Sequence, residues 1–308
     1  MLAMTKAKIS AVITTWNEAA NLEECLSSLG FADEIVVVDM ESTDNTVKIA
    51  KQYTDKVYHT KYTGYVEPAR NFSIGKATGN WVLIIDADER VPNTLASKLR
   101  QTADNDGADF VRLPRKNMVF GQWLKYSRWW PDYNIRFFKK GCVTWSDAIH
   151  RPPVTEGEGI NLDPEPEFAM IHHHYRTIDE YLNRLIRYTN QQAKELMSEG
   201  YQFSISDLIN KPISEFLSRF FAGEGYKDGL HGLALALLQS FSMFVVYLKV
   251  WQEEGFTAHK EILNAPSFRK LVGDKFGELK YWLYTVKIHL ARNKSEKFLL
   301  KLKRKLKV

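Results

Sequence analysis

Trp81-Val82-Leu83-Ile84-Ile85-Asp86-Ala87-Asp88-Glu89 is the stretch that decides how this chain folds. Strand-favouring apolar residues run from Trp81 straight into two carboxylates one residue apart. A continuous apolar run bounded by polar residues reads as a strand buried on both faces. Asp86 and Asp88 then stand just past its carboxyl end, where ligands bind in open α/β sheets. Two carboxylates this close repel each other unless they share a positive charge, and hard divalent cations prefer oxygen donors. For a D-A-D standing alone, a polar turn that merely closes the strand is the simpler reading.

What precedes the stretch makes the case stronger. Lys8–Thr14 alternates and is rich in β-branched residues, which predicts a first strand. After Thr15-Trp16-Asn17-Glu18, residues Leu22, Cys25, Leu26 and Leu29 recur at helical spacing. Asn17 suits a helix cap and Glu18 the positive first turn; the same turn could instead frame a nucleotide. Asp33–Asp39 predicts a second strand, apolar on both faces and ending in an acid. Asp39 could hydrogen-bond a base or ribose, or tie down the Met40–Thr46 loop, which offers caps for a helix over Val47–Tyr53. Lys56–His59 is a short third strand, and Pro68-Ala69-Arg70-Asn71 opens a helix that Gly79 stops. Strand and helix thus alternate up to Asp86, which argues for a parallel sheet with right-handed crossovers. Strand ends at Thr14, Asp39, about His59 and Asp86 would meet along one edge. The chain has no G-x-G-x-x-G after the first strand and no G-x-x-x-x-G-K-[ST], so neither a dinucleotide fingerprint nor a P-loop is present.

At 308 residues, 44% hydrophobic and 26% charged, the chain has a globular composition, long enough for one large α/β domain with an extension or for two modest domains. The net charge of +5 comes largely from the C-terminus. Cys25 and Cys142 are too few and too far apart for a disulfide framework or a zinc site, which fits a reducing cytoplasm. Met1–Lys8 has no long apolar core, so no signal peptide is expected.

Beyond the carboxylates, Phe110–Pro114 predicts a strand. From Phe120 to Phe138 aromatic residues interleave with Arg128, Asp132 and Arg136. Trp129-Trp130-Pro131 reads as a loop whose rings can face a sugar. Asp132 is the candidate general base, with Asp147 and Glu156 as alternatives; its competing role is scaffolding, paired with Arg128 or Arg136. Pro152–Glu167 is expected to be a surface loop. His172 and His174 share a strand face, but no third ligand follows at metal spacing. Thr177 and Glu180 form a capping box for a helix that runs to Ser198.

The last third differs in character. Leu230–Leu248, 19 residues, just reaches membrane-spanning length yet contains His231, Gln239 and two serines. It is expected to lie half-sunk in a bilayer or packed on its neighbours. Lys294–Lys307 carries seven basic residues and one acid, interrupted by Leu299, Leu302 and Leu306 at helical spacing. Such an end predicts attachment of 294–308, together with 230–248, to an anionic membrane surface. A solvated tail is the alternative, and no motif supports a nucleic-acid partner.

Taken together, Thr14-Thr15-Trp16-Asn17-Glu18, Val38-Asp39 through Thr46, Ala69-Arg70-Asn71 and Leu83 through Glu89 resemble the family 2 inverting glycosyltransferases of the GT-A fold. The resemblance spans roughly residues 8–190 and extends to the bacterial enzymes that add a hexose to the lipopolysaccharide inner core, the heptose β-1,4-glucosyltransferase type. It implies an α/β fold with a mostly parallel central sheet flanked by helices. The catalytic domain would be 1–199, with a nucleotide-sugar half at about 8–105 and an acceptor half at about 106–199. A helical, membrane-associating region would follow at 200–308.

The resemblance also implies roles for particular residues. Thr14, Glu18 and Asp39 would contact the nucleotide, Asp39 through the uracil ring, with Arg70 nearby. Asn17, Ser42, Ala87 and Arg136 join the donor-binding set, and His172 matches a family histidine near the diphosphate. Asp86 and Asp88 would hold the UDP-sugar diphosphate through Mn²⁺ or Mg²⁺. Pro131-Asp132 and the strand after it resemble the W-Y-P-D-x-x-x-R-x-F block, although the V-H-E that usually follows is here Ile149-His150-Arg151.

The implied activity is metal-dependent inverting transfer of a hexose, glucose from UDP-glucose, to a lipopolysaccharide-core or lipid-linked glycan. The enzyme would be cytoplasmic and peripheral to the inner face of the cell membrane, its oligomeric state left open. A nucleotidyltransferase would need a glycine-rich basic loop where Thr14–Glu18 stands. A non-catalytic membrane adaptor is disfavoured by the retained Asp39, Asp86 and Asp88.

Overall fold

The computed structural model describes residues 6–146, 152–258 and 266–306. In chain order its elements begin with β1 (Ile9–Thr15), α1 (Ala19–Ser27), β2 (Glu34–Asp39), α2 (Thr46–Ala50), β3 (Val57–His59), α3 (Glu67–Lys76), β4 (Trp81–Ile85), β5 (Glu89–Arg90) and α4 (Asn93–Asn105). They continue through β6 (Phe110–Val119), β7 (Gln122–Trp123), β8 (Asp132–Lys139), β9 (Val143–Thr144), β10 (Val154–Thr155), β11 (Gly159–Asn161) and β12 (Met170–Tyr175). Helices α5 (Ile178–Ser198), α6 (Ile205–Phe216), α7 (Gly229–Glu253), α8 (Pro266–Leu290) and α9 (Lys294–Leu306) complete the chain.

Two compact units result: Met1–Met118 with Trp129–His174, and Val119–Arg128 with Tyr175–Val308. In the first, the sheet order is β3-β2-β1-β4-β8-β6-β12-β5. The strands β3, β2, β1 and β4 are parallel, as their alternation with helices requires. β8 is antiparallel to both β4 and β6, so the sheet is mixed and its parallel half ends at β4. Every residue of β1 and β4 is buried. Ile9, Ala11 and Ile13 pack on one side with Leu22, Cys25 and Leu26 of α1. Val12, Val36 and Val38 pack on the other with Ile74 and Ala77. Cover on both faces is why these strands read as unbroken apolar runs. Gly79 makes the turn into β4, where a Cβ would stand 2.5 Å from the Lys8 carbonyl oxygen.

Glu34 opens β2 as a buried carboxylate. It accepts from the Thr78 N–H at 2.7 Å and the Thr78 hydroxyl at 2.9 Å, and it also meets Ser10 and Lys56. Burial pushes its carboxyl upward, but Lys56 and these hydrogen bonds prevail and hold it at about 2.

Several elements differ from their sequence expectation. α2 is a single turn and a half, stopping at Ala50 rather than Tyr53. β6 does not end at Pro114 but continues to Val119, with an irregularity between Val111 and Arg112. Asn17 does not cap α1: it adopts a left-handed φ of 51°, and Glu18 is the cap residue. The Asn17 side chain instead accepts from the Thr43 N–H at 2.8 Å, tying the first strand-to-helix turn to the second.

In the second unit, Thr177 and Glu180 form the expected capping box on α5. The buried residues Tyr181, Leu185, Thr189 and Ala193 make one stripe of that helix, and α5 packs against α7. Lys249 of α7 donates to the Thr189 hydroxyl at 2.7 Å. Helix α5 therefore packs within the same unit as the C-terminal helices. Among the described residues, one segment, Gly225–Glu253, is long and apolar enough by length and composition to cross a membrane.

Candidate active site

The carboxyl ends of β1, β2 and β4 lie side by side, and the polar residues gather there. Register pairs Thr15 with Asp39. Asp39 is buried; its Oδ2 accepts from the Ser42 N–H at 3.1 Å and lies 3.4 Å from His59 Nδ1. Asp39 Oδ1 and Thr15 Oγ1 are buried without a hydrogen-bond partner. Ser42 Oγ accepts from the Asn17 N–H at 2.8 Å, and the Glu18 N–H donates to Thr46 Oγ1 at 2.8 Å. Thr14 turns its hydroxyl to Ser73 of α3, 2.8 Å away. Trp16 and Tyr62 stack with ring centroids 4.1 Å apart. An orphaned buried acceptor is costly unless a ligand's N–H or O–H completes it.

The Asp86–Glu89 turn is held by a chain of alternating charges. Asp86 Oδ1 accepts from Arg70 Nη2 at 2.9 Å and Oδ2 from Arg136 Nη2 at 2.5 Å. Arg136 Nη2 also donates to Glu89 Oε1 at 2.8 Å, and Glu89 Oε2 accepts the Asp86 N–H at 2.9 Å. Burial pushes the Asp86 carboxyl upward, but the Arg136 and Arg70 guanidinium charges outweigh it and hold the group far below the usual carboxylate range. Arg136 reaches this point because β8 pairs with β4 at Leu83–Phe137, which brings its next residue alongside the strand end. Buried Ala87 gives its carbonyl to Arg90, which also reaches the Asn21 carbonyl at 2.8 Å and so fastens the turn to α1.

From Glu89 the chain of charges runs on to Asp132. Arg115 lies 3.4 Å from Glu89 Oε1 and donates twice to Asp132 Oδ2, at 2.9 Å from Nε and 2.6 Å from Nη2. Arg115 and Asp132 are direct partners across the β6–β8 ladder. The scaffolding partner of Asp132 is thus Arg115; Arg136 is engaged at Asp86 and Glu89, and Arg128 donates to Ser218. Burial raises the Asp132 carboxyl, and the Arg115 charge and the Asn117 hydrogen bond more than reverse that, leaving it below its ordinary range.

Asn117 fixes the histidine beside it. Its Nδ2 donates to Asp132 Oδ2 and to the Trp129 carbonyl, each at 3.1 Å. Those two acceptors orient the amide, so Asn117 Oδ1 receives the His172 Nδ1–H at 2.6 Å. In the neutral ring His172 Nε2 then carries the lone pair. It lies 3.5 Å from Asp88 Oδ2 and 3.3 Å from His174 Nδ1. With Nε2 as acceptor, the 3.3 Å contact is a hydrogen bond from His174 Nδ1–H, so a cation could lie between Nε2 and the carboxylate only in place of that donor. Among the described residues, no group of three or more His, Cys, Asp or Glu side chains is arranged to hold a metal ion. Asp88 with His172 could therefore bind a hard cation only if a ligand supplied further oxygens, the usual arrangement for Mg²⁺ on substrate phosphates.

The alternative base Asp147 lies outside the described residues, as does the Ile149-His150-Arg151 segment. Glu156 is exposed on the loop between β10 and β11, its N–H bonded to the Cys142 carbonyl at 2.9 Å.

The model of the family described as glycosyl transferase family 2 matches residues 10–152, the span that carries the Asp39, Asp86, Asp88 and Asp132 positions. Residues 10–152 are a glycosyl transferase family 2 domain. An uncharacterized glycosyltransferase of Rickettsia typhi, RT0209, is 28% identical over 79% of this chain and 86% of its own length. The lipopolysaccharide core biosynthesis glycosyltransferase LpsC of Rhizobium meliloti is 26% identical over 85% of this chain and 98% of its own. Among solved structures, S. aureus TarS 1-349 in complex with UDP is 14% identical over 79% of this chain and 91% of that one, a loose likeness at a TM-score of 0.42.

In this glycosyltransferase most of the described residues singled out from sequence fall into two groups of the first unit, while Thr14 faces Ser73 and Glu156 stands on its exposed loop. Asn17, Glu18, Asp39 and Ser42 join through the first two strand-to-helix turns. Arg70, Asp86, Asp88, Asp132, Arg136 and His172 join through the charge chain. Glu89, Arg115 and Asn117 complete that chain, and the sequence reading gave them no role. Strand alternation places Arg115 and Asn117 on one face of β6, a signal hidden by ending that strand at Pro114.

Proposed function

We propose that this family 2 glycosyltransferase moves a hexose from a UDP-sugar, glucose in the first instance, to a hydroxyl of a lipopolysaccharide-core or lipid-linked glycan with inversion. The carrying observation is Asp39 Oδ1, a buried acceptor without a partner at the end of β2. A uracil ring offers an N3–H donor of the kind such an acceptor needs. The similarity to LpsC supports a core-glycan acceptor.

Asp132 acts as the base. Arg115 and Asn117 keep it ionised at neutral pH and occupy Oδ2, which leaves Oδ1, with Asn134 Nδ2 at 3.3 Å, to take the proton of the attacking hydroxyl. Asp88 and His172 fit Mn²⁺ or Mg²⁺ together with diphosphate oxygens. When bound, the ion neutralises charge on the departing UDP. Asp86 serves as the anchor that aims Arg70 and Arg136; Arg70 Nη1, buried without a partner, suits a diphosphate oxygen.

We read the catalytic part as reaching about residue 199, with 200–308 as the membrane-associating region on the anionic, inner face of the membrane. Supporting this, α9 carries Lys297, Lys301, Lys303 and Lys305 around exposed Phe298, Leu299 and Leu302.

The test of the donor reading is calorimetric titration of UDP and of N3-methyl-UDP. UDP should bind more tightly by about ten- to a hundredfold, the worth of a hydrogen bond to a charged group. Equal binding would remove Asp39 from base recognition, as would an Asp39→Ala variant that keeps wild-type affinity.

A further inference from the structure

Helices α8 and α9 pack together beside an open surface pocket of about 260 Å³, lined by Gly273, Gly277, Phe276, Tyr281, Lys280 and Arg304, with Tyr284 beside them. Its floor is bare backbone. A Cβ built on Gly273 or Gly277 would meet nothing within 4 Å. Gly232 of α7 is different: a Cβ there would strike the Gly225 carbonyl oxygen at 1.9 Å, so that glycine permits close packing. A glycine inside a helix costs about 1 kcal/mol relative to alanine. Gly273 and Gly277 are exposed, and a side chain at either would project into the open pocket.

The rim of this space is amphipathic. Phe276 is 63% exposed and Tyr281 48%, large rings facing solvent at the mouth. Arg304 lies over the Tyr281 ring, 5.1 Å from its centroid, and donates to Thr285 Oγ1 at 3.1 Å, so its guanidinium is fixed in position. Lys280 has no ion pair among the described residues. Of the acids on the same helix, Glu278 is taken by Lys275 at 2.8 Å, and Asp274 is exposed beside Gly273. Two cations beside the exposed Phe276 and Tyr281 rings complement one phosphate diester carrying a hydrocarbon chain.

The geometry points to a binding site for a single anionic phospholipid between α8 and α9, its phosphate held by Lys280 and Arg304 and its first methylenes laid across Gly273 and Gly277. The inference rests on the membrane-surface reading above and makes it specific: a lipid held in a groove adds to the diffuse attraction of the lysine-rich helix. A site of this kind would orient the enzyme on the bilayer as well as retain it there.

The test uses the full chain, with Gly277→Leu to fill the groove and Lys280→Gln to remove one cation. Leucine at 277 meets open space and favours helix, so an unchanged thermal midpoint is expected and checks the fold. Dihexanoyl-phosphatidylglycerol should give a saturable calorimetric signal that dihexanoyl-phosphatidylcholine and inorganic phosphate do not. Gly277→Leu should abolish it and Lys280→Gln weaken it about fivefold. Equal binding of inorganic phosphate, or an unchanged signal in Gly277→Leu, overturns the site. So does a concentration-dependent dimer that Gly277→Leu dissociates while the short-chain lipid gives no signal, since the occupant is then a second copy. Flotation with phosphatidylcholine vesicles containing phosphatidylglycerol separates the two levels. No flotation of the wild type overturns both the membrane reading and the groove. Flotation of wild type and Gly277→Leu alike, with no short-chain lipid signal, overturns the groove alone.

Discussion

Arg115 faces Asp132 directly across the β6–β8 ladder and takes one carboxylate oxygen with two hydrogen bonds, at 2.9 and 2.6 Å. The pairing divides the carboxylate: Oδ2 is committed to the scaffold and Oδ1 is the oxygen open to chemistry. Replacing Asp132 by Asn keeps the size and removes the proposed base. Steady-state kinetics should show kcat down by about 10²- to 10⁴-fold with the donor KM near wild type. A change confined to donor KM would mean that Asp132 binds the donor.

The same pair sets the pH response. With Arg115 present the Asp132 carboxyl is depressed, so the base stays ionised well into acid. An Arg115→Met variant removes the strongest opposition to burial, leaving the Asn117 hydrogen bond and His172, so the carboxyl rises. The acidic limb of kcat/KM should therefore move to higher pH in the variant. An unmoved limb would show that another group controls it.

Asp86 and Asp88 sit one residue apart and should fail differently. Asp86 neutralises two buried arginines, so Asp86→Ala leaves both guanidiniums without that partner and should cost about 3–5 kcal/mol in urea unfolding. Asp88→Ala removes a carboxylate that faces His172 at 3.5 Å and should destabilise less than Asp86→Ala, yet lose metal-dependent turnover. Equal destabilisation by the two would contradict the division of labour drawn here.

Glu34 lies outside the site and gives a stability test. Its folded carboxyl stands at about 2 against an ordinary 4.5. A depressed group stabilises the fold above its unfolded value, and the contribution disappears as pH falls through the folded one. Wild type should therefore exceed Glu34→Gln by about 3 kcal/mol at neutral pH, and the gap should close between pH 4.5 and 2. A gap independent of pH would assign the loss to packing.

How much of this the sequence could disclose depends on the range of each interaction. β1, β2 and β4 were legible because strands covered on both faces are continuous apolar runs, and polar residues gather at their carboxyl ends. The Thr177–Glu180 capping box is local and was equally plain. Arg115 and Asn117 were not legible: Pro114 looked like a strand end, whereas β6 passes through it, and their partners are fixed by strand register alone. Asn17 read as a cap because its type suits one, but its left-handed backbone turns the side chain toward Thr43. The groove at Gly273 and Gly277 exists only once α9 folds back on α8.

The central claim, metal-assisted transfer from a UDP-hexose, meets its most direct test in UDP release from UDP-glucose, UDP-galactose and GDP-mannose after chelation and again after Mn²⁺ is restored. The account predicts turnover of a UDP-hexose with Mn²⁺, none with chelator, none from GDP-mannose, and none from Asp88→Ala under any of these conditions. Undiminished turnover in chelator, or preference for the GDP-sugar, would contradict it.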